Sequence, residues 1–70
     1  MRVRPKTDEF WFVRVQYWPE DKERIILVKF YYVWQDGEMQ FVPVFDAGMG
    51  DPVWVSSCYK FELIERVNVR

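Results

Sequence analysis

Seventy residues make one small domain; ten are basic, eleven acidic and none is histidine, for a net charge of −1. That balance excludes long-range steering of a polyanion, and it equally excludes the dense carboxylate array of a nucleic-acid mimic. The missing histidine removes the commonest general base and the commonest metal ligand.

A chain of 8.7 kDa exposes about 4,700 Å² once folded, so the domain sits near the lower size limit and gains from association. Aromatic residues, 20% of the chain, partly compensate, because each buries ~150–250 Å². The single cysteine, Cys58, excludes an intrachain disulfide and fits a reducing cytoplasm. Lys29 interrupts the longest apolar run, which falls short of the ~20 residues of a membrane span. The start, Met-Arg-Val-Arg-Pro-Lys, has no apolar stretch of the signal-peptide kind. The expected location is therefore cytoplasmic.

Residues 1–8 read as a flexible basic arm carrying Arg2, Arg4 and Lys6, and residues 9–70 as a single β domain. Residues 9–18 alternate as a strand, with Trp11, Val13, Val15 and Tyr17 inward and Phe10, Phe12, Arg14, Gln16 and Trp18 outward. Pro19-Glu20-Asp21-Lys22 is a polar turn. From Arg24 to Asp46 the pattern is one long hairpin, closed at Asp36-Gly37 by a type I′ turn. A two-residue turn there pairs Trp34 with Met39, Tyr32 with Phe41, Phe30 with Pro43 and Val28 with Phe45. The even positions, Ile26 to Trp34, face the interior, because Lys29 lies among the odd ones. Pro43 lacks a backbone donor and predicts an edge or a bulge. Asp46 to Pro52, with two of the three glycines, reads as the longest loop. A short fourth strand is expected over 53–57. Phe61, Ile64 and Val67 recur at helical spacing, with Ser56 or Ser57 as a cap, but alternation favours a strand over 58–63, followed by a turn of helix or a second short strand. The expected fold class is all-β: a strongly bent antiparallel sheet or small SH3-like barrel of four to five strands, with at most one short helical turn. A flat sheet forming half of a dimeric sandwich is the alternative.

No constellation in the chain carries catalysis. Cys58 has no histidine to activate it, although Lys60 on the same strand face could lower its pKa. Asp46 and Asp51 flank the glycine loop but lack the spacing of a calcium loop. Gly48-Met49-Gly50 lacks the third glycine, the lysine and the following helix of a phosphate cradle. No catalytic residue, metal or cofactor is expected.

Surface contact is the better reading. Phe10, Phe12, Trp18, Ile25, Leu27, Tyr31, Val33, Val42 and Val44 all point away from the proposed interior. Nine such residues on neighbouring strands exceed the few hundred Å² of apolar patch usual on a monomer. The arm or the C-terminal segment, a second copy in a homodimer, or a different protein could cover them. The alternative is a small-barrel single-strand nucleic-acid binder, with bases stacked on the outward aromatics and phosphates held by Arg2, Arg4, Lys6, Arg14 and Lys29. Glu20, Asp21, Glu23 and Asp36 nearby oppose that charge.

Across residues 10–65, Trp18-Pro19-Glu20-Asp21, Ile26-Leu27-Val28, Asp36-Gly37, Phe45-Asp46 with Gly48, and Trp54 together resemble small β-rich proteins encoded by bacteriophages. Many proteins of that kind are stoichiometric inhibitors of host machinery, including restriction and CRISPR systems. The resemblance implies a chain that occupies the surface of a bacterial host protein, acting in the host cytoplasm. It carries over no individual functional residue.

Overall fold

The computed structural model describes residues 4–33, 38–45 and 48–67. Its elements are β1 (Phe10–Gln16), β2 (Arg24–Val33), β3 (Met39–Phe45), β4 (Gly48–Met49), β5 (Val53–Trp54), a single 3-10 turn at Val55–Ser57, and β6 (Lys60–Val67). All pairings are antiparallel, in the order β4-β3-β2-β1-β6, with β5 also on β3. The fold is thus all-β with one strongly bent, unclosed sheet. It has six strands rather than four or five, because the expected glycine loop holds one extra two-residue strand, β4, paired with β3.

The bend follows from the core. Alternation on β1 sends Trp11, Val13 and Val15 to one face, and Val28, Phe30 and Phe41 join them, all buried. Phe61 of β6 stacks on Phe41 of β3 with ring centroids 5.5 Å apart. Those strands are three positions apart in the sheet, about 14 Å if it were flat. The two sides must therefore curl toward each other. Phe30 lies between them, edge-on to Trp11 at 6.4 Å and to Phe61 at 6.3 Å. The concave side is filled, and the opposite side is convex.

The hairpin spans the expected residues but not in the expected register. Val28 pairs with Pro43 and Phe30 with Phe41, a slip of two residues that leaves the faces unchanged. A bulge between Phe30 and Tyr32 then shifts the pairing to Tyr32↔Gln40 and Val33↔Met39. The extra residue inverts the alternation. Val33 packs on the core instead of facing outward, and Tyr32 is exposed instead of buried. The Asp36-Gly37 turn and Trp34 lie outside the described residues.

Pro43 is accommodated by geometry. Its carbonyl accepts from the Gly50 N–H at 2.9 Å, so its nitrogen also faces away from β2. There it falls between the stretches of β3 paired with β5 (Gln40, Phe41) and with β4 (Val44, Phe45). No ladder bond is lost. The expected loop after β3 holds β4, whose Gly48 adopts φ +135°, a conformation that suits glycine. Gly50 admits the Phe45 ring: a Cβ there would lie 2.8 Å from it.

Two further expectations are corrected. Val53–Trp54 is a two-residue strand, and Val55–Ser57 turn into a 3-10 helix with no side-chain cap. The C-terminal segment is a single strand through Val67, with a bulge where Phe12↔Glu65 gives way to Val13↔Leu63. Gln16, expected outward, is buried. Its Nε2 reaches the carbonyls of Trp18, Pro19 and Asp21 at 3.0, 3.0 and 3.1 Å, closing the polar turn over itself. In the N-terminal segment Pro5 is buried and the Asp8 N–H donates to the Phe30 carbonyl at 2.7 Å. Glu9 accepts from the Lys6 backbone N–H, the Trp11 indole and Arg66 at 2.7, 3.3 and 3.2 Å. Burial raises its pKa, but these three donors outweigh that and hold the carboxyl below the ordinary glutamate range.

Candidate protein-binding face

The convex face is built from the strand positions that alternate with the core. Pairing sets Val67, Phe10, Lys29 and Val42 in one row, Glu65, Phe12 and Leu27 in the next, and Glu62, Arg14 and Ile25 in a third. Past the bulge, Tyr32, Gln40 and Trp54 form another row, and Val44 pairs with Met49. Ile25 is 60% exposed, Tyr31 56% and Met49 50%, with Phe12, Tyr32 and Trp54 also open to solvent. The result is an apolar surface that runs across every strand.

Of the nine residues expected on this face, Phe10, Phe12, Ile25, Leu27, Val42 and Val44 lie on it. Val42, at 6% exposure, is already covered by its neighbours and offers little to a partner. Tyr31 is exposed at the bulge. Val33 is removed by that bulge. Trp18 stands in the polar turn beyond β1, 64% exposed and separate from the rows. Tyr32, Met49, Trp54 and Val67 belong to the face but were not expected there. A β-bulge leaves no mark in residue spacing, and Met49 sits in a strand hidden between two glycines.

The basic residues on this face are engaged. Arg14 bonds Glu62 at 2.9 Å, and Lys29 lies 3.5 Å from Asp8 and 5.9 Å above the Phe10 ring. These contacts are exposed and each contributes little to stability, but they cancel the positive potential a nucleic-acid groove needs. Of the other cations weighed for that role, Arg4 and Lys6 are exposed and Arg2 lies outside the described residues. Glu65 has no ion partner among the described residues.

Two other places bear on chemistry. A cleft of about 460 Å³ beside the polar turn is lined by Arg14, Gln16, Glu23, Lys60, Phe61 and Glu62. Its cations are paired, Arg14 with Glu62 and Lys60 with Glu23 at 4.0 Å, and serine, threonine and cysteine are absent from its lining. Cys58 packs against the core, its Sγ 3.8 Å from the Trp54 carbonyl, and burial pushes the thiol pKa up. Activation by Lys60 is thereby overturned, since desolvation disfavours the thiolate. No three potential metal ligands converge among the described residues, and no helix among them is long and apolar enough to cross a membrane. No protein-family model matches the chain, and no curated protein or solved structure matches it.

Proposed function

We propose that the chain is a non-enzymatic protein-binding module that covers a surface of another protein with its convex face. The mechanism is steric: the apolar rows bury against the partner and block its substrate or its assembly. The observation that supports this is the apolar face itself, with Phe10, Phe12, Ile25 and Leu27 at its crest beside Arg14 and Lys29, whose charges are met by Glu62 and Asp8. Aromatic and aliphatic side chains at the centre with charged residues around them are the pattern of an interface core. In line with the resemblance to small phage proteins, the partner class is bacterial host machinery, and restriction and CRISPR systems are the first to assay.

The test compares the wild-type chain with Leu27→Asp and Tyr31→Asp as bait in a bacterial lysate. Both side chains are partly or largely exposed, so the fold is expected to survive, as circular dichroism will verify. The expected result is a stoichiometric protein captured by the wild type and lost by at least ~10-fold with either variant, the effect of one interface side chain worth about 1.4 kcal/mol. Unchanged capture by folded variants removes the face from the function. Salt-dependent binding of a single-stranded oligonucleotide that disappears on charge reversal at Arg14 and Lys29 would favour the nucleic-acid reading instead.

A further inference from the structure

We infer that the cleft beside the polar turn is a binding site for a small zwitterion of the α-amino acid class, held by its ammonium and its carboxylate at once. The inference does not depend on the protein-binding reading.

It starts from the amide of Gln16, which lines the cleft and is only 8% exposed. The Nε2 is committed to the carbonyls of Trp18, Pro19 and Asp21, and those three acceptors fix which way round the amide lies. No donor among the described residues reaches its Oε1, yet no side-chain oxygen sealed from solvent among them lacks a partner. The Oε1 therefore opens on solvent, and the cleft is where Gln16 meets it. An amide oxygen in such a place selects a ligand that brings N–H groups.

Charge then selects the rest of the ligand. Gln16 pairs with Lys60 of β6, and Glu23 precedes Arg24, the partner of Val15 on β2, so a base and an acid flank the amide. Arg14 and Glu62 form the next row, two residues or about 7 Å along the strands. With two cations and two carboxylates in the wall, a ligand of either net sign loses at one pair of charges what it gains at the other. A zwitterion gains at both. Lys60 and Glu23 stand 4.0 Å apart, too far for a hydrogen bond, so both keep their bonding capacity. Arg14 uses Nη1 on Glu62 and has further N–H groups to give. The ligand's ammonium takes Gln16 Oε1 and Glu23, and its carboxylate takes Lys60 and Arg14.

The volume of about 460 Å³ falls in the range of small-molecule sites. Half-buried Phe61 supplies an apolar wall, which favours an amino acid with an apolar side chain. The ion pairs are exposed and hydrated, so the affinity is low, with Kd on the order of 1 mM.

Titration of the full chain with leucine to about 50 mM, followed by proton–nitrogen NMR, tests the inference. Saturable shifts are expected at the Gln16 side-chain amide and at the backbone amides of Arg14, Lys60 and Glu62. Isocaproate, which lacks the ammonium, and isoamylamine, which lacks the carboxylate, should each bind at least ~10-fold more weakly. Glu23→Gln and Lys60→Gln, both at exposed positions, should weaken leucine by about the same factor while circular dichroism stays native. The absence of saturable shifts with leucine overturns the inference, and so does equal binding of either single-charge analogue. Folded variants that both bind leucine like the wild type overturn it as well.

Discussion

Phe30→Ala is expected to abolish the cooperative unfolding transition of this chain. Phe30 is fully buried and touches both Trp11 and Phe61 edge-on, while Phe61 stacks on Phe41. The ring thus stands at the centre of the contacts that hold the two sides of the curled sheet together. Truncating a buried phenylalanine costs about 3–5 kcal/mol, cavity included. A domain of this length has roughly 3.5–10 kcal/mol in total. The loss is comparable to the whole, so near-UV circular dichroism should collapse and urea unfolding should lose its sigmoid. A variant within ~1 kcal/mol of the wild type would show that the aromatic cluster does not hold the curl.

Gln16→Leu is the second large effect, and it works through polarity rather than volume. Gln16 is the only buried polar or charged residue among those described. Its amide reaches three carbonyls of the turn joining β1 to β2. Leucine fills similar space but donates nothing. Unpaired carbonyls in a partly buried site cost about 1–3 kcal/mol, and in a domain this small each kcal/mol lowers Tm by roughly 4–8 °C. A fall of about 10 °C is therefore expected in a thermal melt. Gln16→Glu should be worse at neutral pH than in acid, because its carboxylate would face three carbonyl oxygens. A Leu variant that melts with the wild type would mean that water satisfies the turn equally well.

The sequence made the large features legible and hid the local ones, for separable reasons. Alternation of Trp11, Val13 and Val15 against Phe10, Phe12 and Arg14 assigned the faces of β1, because side-chain direction in a strand follows directly from parity. The same parity carried the convex face through a wrong register, since the hairpin slipped by two residues and not by one. Where one residue was inserted, at Tyr31, parity inverted and the assignments of Tyr32 and Val33 both failed. Gln16 was misplaced because alternation at a strand end takes no account of the carbonyls of the following turn. The inward Cys58 and the strand at Gly48–Met49 depend on contacts between segments distant in sequence, which residue spacing does not encode. For the face as a whole, the sequence pattern identified the crest, and the pairing supplied the margin formed by Met49, Trp54, Tyr32 and Val67.

The central claim is that this chain acts by protein contact through the crest of its sheet. A photo-crosslinking residue placed at position 12, on the crest, and in a second variant at position 20, in the exposed polar turn, tests it in a bacterial lysate. Position 12 should give discrete protein adducts, a second copy or a foreign chain, that fade when Leu27→Asp is added; position 20 should give few. Equal yields from both positions, or adducts from position 20 alone, would contradict the claim.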